Sequence, residues 1–265
     1  MTEKNQNFPN GIEAFFLLVA LFGIEFIISA VMHDMRDWLG LAPQDVGDLV
    51  TVLASGIVFA ALMHYKSLSY RDLFHASPYS AGAIFLALVP AIALTIPALV
   101  LMVLALSDVL VAMFPMSASQ IAVFEERGSG SLGVIIGACI LAPVLEEMLF
   151  RGIILRSFLT QYSRWVAIGG SALLFGLAHM NIYQCAVGLV IGVVNGWLYE
   201  RTDSLLPCIT LHAAYNSTLT LISLSVASGA ENSFANPTPE FYFASLLLAT
   251  GGVFMLRRAL VVSAD

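Results

Sequence analysis

Long apolar runs separated by short polar stretches organise the whole chain. Windows of helical length predict eight membrane-crossing helices, at about residues 12–32, 47–65, 79–106, 131–150, 164–180, 183–199, 205–226 and 241–256. The separating stretches include HDMRDW, SLSYRD, PMSAS, ERGSGS and ENSFANPTP, all polar or turn-forming. No Asp, Glu, Lys or Arg occurs between Asp72 and Asp108, whereas a helix needs only about 20 mostly apolar residues to cross the hydrocarbon core. The third run exceeds that length and contains Pro90 and Pro97, which predicts a tilt or kink. None of the runs alternates as a transmembrane barrel strand does, and lipid tolerates no unpaired backbone. The expected fold is therefore an all-α integral membrane protein with about eight transmembrane helices, one polytopic domain over residues 1–265.

Composition agrees. The chain is 59% hydrophobic and 11% charged, against roughly 25% charged in soluble domains. A net charge of −7 and the lack of any Lys/Arg run exclude a nucleic-acid surface, leaving the bilayer as the expected partner. Cys139, Cys185 and Cys208 lie in apolar runs without metal or disulfide spacing and read as small core residues. The first run is interrupted by Glu25 and follows a nearly neutral segment, so it reads as a span and not as a cleaved signal.

Lys and Arg accumulate on the cytoplasmic side of membrane proteins. With both termini inside, Lys4, Lys66, Arg71, Arg151, Arg156, Arg164, Arg201, Arg257 and Arg258 face the cytoplasm, against Arg36 and Arg127 outside. The expected orientation is an even number of spans with cytoplasmic N- and C-termini.

A charge at the centre of a membrane helix costs about 2.5–3.5 kcal/mol on insertion scales, so such residues face a protein interior and carry function. In the fourth run, Glu147 and Arg151 are i,i+4 neighbours, while Glu146 points about 100° away from Glu147. One carboxylate can be paired and the other left free as a general base. An ordinary interfacial Glu/Arg pair would read the same way. In the fifth run Phe175 and His179 share a face, as do His212 and Asn216 in the seventh. The latter pair can hold a water, a metal or an oxyanion, or can equally glue helices together.

In this order, EEMLFR, FGLAH and HAAYN resemble the EExxxR, FxxxH and HxxxN motifs of the CPBP family. That family contains the type II CAAX prenyl endopeptidases and bacterial relatives linked to bacteriocin processing or self-immunity. The likeness covers residues 130–220, a CPBP-like catalytic core. It implies an eight-helix intramembrane protease in which Glu146 and His179 activate a water for attack on a peptide carbonyl, and His212 and Asn216 stabilise the oxyanion. Glu147 and Arg151 would support the site and Phe175 would pack beside it. Zinc held by Glu146, His179 and His212 is the alternative to a metal-free, glutamate-activated water. The implied substrate is a membrane peptide, prenylated or plain. The implied setting is a bacterial cytoplasmic membrane with the site opening inward.

Depth constrains this reading. If the fourth helix ended near Phe150, Glu146 would be shallow, whereas His179 lies about 22 Å along the next helix at 1.5 Å per residue. The fourth helix is therefore expected to continue to about Phe158. The ERTDS turn before His212 should be recessed, lining a water-filled opening to the site.

Three rival readings remain. A non-catalytic immunity or scaffold protein of the same fold would tolerate loss of Glu146. A proton-coupled transporter predicts internal symmetry between halves, which is not seen. Serine or aspartyl intramembrane chemistry lacks its signatures, because Ser171 has no G-x-S-G setting and Asp108 no partner. Glu25, in the middle of the first span, is expected to make a structural hydrogen bond across helices.

Overall fold

The computed structural model describes residues 7–40, 43–127, 130–229, 233–234 and 236–261. The described residues form helices joined by short turns. They are α1 (Gly11–Leu39), α2 (Pro43–Lys66), α3 (Tyr70–Phe74), α4 (Ala81–Met113), α5 (Ala118–Arg127), α6 (Leu132–Gln161), α7 (Arg164–Leu177), α8 (Ile182–Thr202), α9 (Leu205–Ala227) and α10 (Pro239–Val261).

Local chemistry accounts for where these helices begin. Asn10 opens α1 with a capping box: its side chain accepts from the N–H groups of Ile12 and Glu13, and Glu13 accepts from the N–H of Asn10. Gly40, with φ 66°, closes α1 in the left-handed conformation that glycine adopts without strain. Asn181 and Ser204 cap α8 and α9 by accepting from first-turn N–H groups, without the reciprocal bond of a capping box.

Seven of these helices are long and apolar enough to cross a membrane, so this is an all-α integral membrane protein. The fifth predicted span is the exception. The α7 helix is a 14-residue apolar helix, about 21 Å at 1.5 Å per residue and short of the roughly 30 Å hydrocarbon core. It stops because the chain reverses at depth. Met180 takes a positive φ of 48°, and the Asn181 cap starts α8 at once. The third run, in contrast, remains one 33-residue helix through both Pro90 and Pro97. The short helices α3 and α5 fall in stretches the sequence pattern assigns to connections.

The predicted extension of the fourth helix is present. The α6 helix runs to Gln161, beyond the expected Phe158, and includes two stretches of wider π turns, Gly137–Leu141 and Met148–Leu155. Such bulges recur at functional sites because they re-aim side chains within a helix. Glu146 lies 15 residues before Gln161 and His179 lies 15 after Arg164, so each stands about 22 Å from the α6–α7 turn.

Close packing of α7 on α8 brings the site together. A Cβ on Gly188 would stand 3.1 Å from Cα of Gly176, and one on Gly192 would stand 2.8 Å from Cβ of Ala172. Gly188, Gly192 and Gly196 recur every four residues along α8, the small-residue spacing that lets membrane helices approach backbone to backbone. The buried core continues around α6 through Leu149, Phe150, Ile153, Ile154 and Leu155.

Candidate active site

Glu146 and Glu147 have different surroundings. The Glu147 side chain is fully buried, whereas Glu146 keeps 31% of its side-chain surface. Glu147 Oε1 accepts three hydrogen bonds: from Arg151 Nη1 at 3.0 Å, Asn195 Nδ2 at 2.8 Å and His212 Nδ1 at 2.9 Å. Arg151, itself fully buried, also donates from Nη2 to the carbonyl of Gly192 on α8 at 3.0 Å. Its guanidinium lies over the Phe175 ring, 4.7 Å from the centroid. All three bonds fall on Oε1, and Glu147 Oε2, Arg151 Nε and Asn195 Oδ1 are buried without a partner among the described residues; the charges are paired even so, and leaving one of them alone is costly.

Both histidines are oriented through Nδ1. His179 Nδ1 is 2.9 Å from the carbonyl of Phe175. A carbonyl can only accept, so the proton sits on Nδ1 and Nε2 is left to take another. His212 is held by the carboxylate of Glu147, and its Nε2 points toward Glu146, with Oε2 3.8 Å away. Phe175 stands between the two imidazoles, its ring centroid 5.2 Å from that of His179 and 5.8 Å from that of His212, edge to face in both cases.

The predicted site residues therefore divide into three groups. Glu146 and His179 line a cavity of about 310 Å³. Glu147, Arg151, Phe175 and His212 form a buried frame behind it. Asn216, on α9, donates from Nδ2 to the carbonyl of Ala138 in the first π stretch of α6 at 2.7 Å, which leaves its second N–H for another acceptor.

Asn195 was not singled out in the sequence, yet it is fully buried and bonds both Glu147 and the carbonyl of Cys208. The available signal was an asparagine inside the apolar run LVIGVVNGWLY, since such a residue needs a partner within the protein. Ser171, weighed and set aside as a nucleophile, donates its hydroxyl to the carbonyl of Phe150 at 2.9 Å.

Two expectations about the surroundings need correction. Thr202 and Ser204 are buried, as a recessed turn requires, but the turn does not open onto the site. The loop after α3 is bonded to it: the N–H of Ala76 donates to the carbonyl of Asp203 at 2.9 Å, and His75 Nδ1 lies 3.1 Å from the Ser204 hydroxyl. The cavity lined by Tyr79, Arg201, Thr202 and Asp203 includes neither Glu146 nor His179. The cavity that does include them is walled instead by Leu18, Phe22, Val58 and Phe59 of α1 and α2. The second correction concerns Glu25. It makes no hydrogen bond or ion pair with any described residue and lines the same cavity as Glu146 and His179.

The zinc alternative requires Glu146, His179 and His212 to converge on one point. Among the described residues, no three His, Cys, Asp or Glu side chains are disposed to hold a metal ion. Both imidazoles are held at Nδ1, which leaves Nε2 of each available, but the three side chains do not converge on one point. These donors do not fit a zinc shell as they stand, and the chemistry below is derived without one.

The family model described as type II CAAX prenyl endopeptidase Rce1-like matches residues 128–218. The match supports membership of the CPBP family over that segment. Comparisons with curated proteins and with solved structures returned no match. The CPBP match covers α6, α7, α8 and α9 as far as Thr218, and so includes every residue of the frame just described. The chain thus carries the domain of an intramembrane protease family. Helices α1, α2, α4 and α10 lie outside the match, and with them half of the cavity wall.

Proposed function

We propose that the chain is an intramembrane endopeptidase that hydrolyses a peptide bond with a water activated by Glu146 and His179. The observation that carries this reading is the unequal treatment of two adjacent glutamates. Glu147 is neutralised inside the protein by Arg151, while Glu146 faces a membrane-depth cavity beside a histidine whose Nε2 is free. A paired, inaccessible carboxylate next to a free one is the arrangement a general base needs.

In the reaction, a water in the cavity loses a proton to Glu146, with His179 Nε2 orienting it, and its oxygen bonds to the carbonyl carbon of the substrate. The carbonyl π pair moves onto oxygen. His212, protonated on Nε2 while Nδ1–H stays with Glu147, and the second amide N–H of Asn216 are the donors assigned to that oxyanion. Collapse re-forms the carbonyl and breaks the C–N bond. The proton held by Glu146 passes to the leaving amine. Phe175 and Arg151 hold both imidazoles at their angles and touch no reacting atom.

The substrate class is a peptide within or at the membrane, prenylated or plain. The orientation assigned is that of the positive-charge asymmetry, with both termini cytoplasmic and the protein in a bacterial cytoplasmic membrane. The test is cleavage of prenylated and plain peptides by purified protein and by its Glu146→Ala, His179→Ala and His212→Ala variants, with and without a zinc chelator. Loss of turnover in folded Glu146→Ala, unaffected by chelator in the wild type, is the expected result. Equal cleavage by wild type and Glu146→Ala would return the chain to the non-catalytic scaffold reading, and chelator-sensitive turnover would reinstate the metal.

A further inference from the structure

Glu25 is 14 residues from each end of α1, about 21 Å from either end at 1.5 Å per residue. No glutamate side chain reaches the membrane surface from there, so snorkelling does not account for it. Structural use does not account for it either, because Glu25 bonds to none of the described residues. Its position is specific, on the wall opposite Glu146 and His179 in one cavity. The other polar side chains lining it are Thr51 and Ser55 of α2 and Gln184 of α8, all uncharged, and among the described residues no Lys or Arg lines the cavity. Two carboxylates thus face a space bounded by Leu18, Phe22 and Phe59, and Glu25 has no charged partner of the protein there among the described residues. In such apolar surroundings opposite charges attract far more strongly than in water.

From this geometry we infer that Glu25 is a specificity-determining residue, which selects peptide substrates carrying a basic side chain close to the scissile bond. The inference rests on the reading of this cavity as the substrate site. The ammonium or guanidinium of the substrate supplies the counter-charge that Glu25 lacks, and its apolar neighbours pack against α1 and α2. The same carboxylate would disfavour an acidic side chain at that place, so one residue supplies both the attractive and the repulsive half of the selection.

The test uses the full chain in lipid nanodiscs and two fluorescent membrane-spanning polyleucine peptides, identical except for one central lysine or norleucine. The wild type should bind the lysine peptide about tenfold more tightly than its twin. In Glu25→Gln that preference should vanish, while affinity for the norleucine peptide stays unchanged. Equal affinities in the wild type, or a lysine preference that survives in Glu25→Gln, would overturn the inference. So would a Glu25→Gln protein that fails to fold, since that result would mark the carboxylate as structural. Because binding is read without turnover, absence of cleavage of both peptides would count against the peptidase reading alone.

Discussion

The protein has two polar regions at membrane depth, and they are built on opposite principles. Around Glu147, in α6 to α9, every charge meets a partner: one carboxylate oxygen gathers an arginine, an asparagine and a histidine, all buried. Around Glu25 and Glu146, on the α1 and α2 side, the carboxylates face an open volume, and α1 buries only Ala14 and Leu18. The first arrangement costs rigidity and specific helix contacts, and it holds two imidazoles at fixed angles. The second leaves groups unsatisfied until something enters. A membrane site that must exclude lipid yet admit a substrate needs both, a frame whose charges are paired and a face whose charges are not.

Substitutions can break this contrast on either side. The largest effect is expected at Glu146: Glu146→Gln should lower turnover by about a thousandfold, the scale of general base catalysis, while thermal unfolding in detergent stays at the wild-type temperature. A large loss of stability would place Glu146 in the frame instead. Arg151→Leu should do the converse. Removing one partner of a buried ion pair leaves Glu147 uncompensated and costs about 3–5 kcal/mol, measurable as a lowered unfolding midpoint, with activity lost through unfolding.

Asn195→Ala sharpens the frame further. It removes one donor to Glu147 and one to Cys208, so a loss of about 1–3 kcal/mol is expected, with a fall in kcat as His212 loses its fixed acceptor. On the open side, Phe22→Ala should leave the unfolding midpoint nearly unchanged and raise KM for peptide substrates by about tenfold, the scale of a few buried methylenes, with little change in kcat. If Phe22→Ala instead unfolded the protein, α1 would belong to the core.

The smallest effect concerns the turn below the site. Burial pushes the Asp203 carboxyl above its ordinary range, with nearby Arg156 opposing the shift. A carboxylic acid with a raised folded value favours the folded state while protonated, and this contribution is lost as pH rises through the folded value. Asp203→Asn keeps the left-handed backbone (φ 47°), which Asn tolerates. It should raise the unfolding temperature at neutral pH by about 1 °C, given the partial exposure of the group. The gain should disappear at acidic pH, where Asp203 is protonated. A gain independent of pH would trace the effect to the backbone and not to charge.

Legibility in the sequence followed the range of each interaction. The Glu147–Arg151 pair was readable because four residues on a helix put two side chains on one face, and the same rule grouped Phe175 with His179 and His212 with Asn216. The bond from Asn195 to Glu147 spans 48 residues and two helices, so no periodicity announces it. The shortness of α7 depended on a reversal at Met180 and Asn181, within what reads as one continuous apolar run. The placement of the cavity was misjudged because the turn at Asp203 and Ser204 packs against the loop at His75 and Ala76, a contact between segments more than 120 residues apart.

By itself, then, the sequence determined the solvent, the helices and the set of polar residues that had to be satisfied within the protein, because hydrophobic length and i,i+4 geometry are local properties. The tertiary structure alone decided that Asn195 and His212 join the Glu147–Arg151 pair, which helices wall the cavity and that Glu25 shares it with Glu146. Those outcomes depend on how α1 and α2 lean on α6, and on the close approach of α7 to α8 that glycine permits. Such distances arise only when separate helices pack.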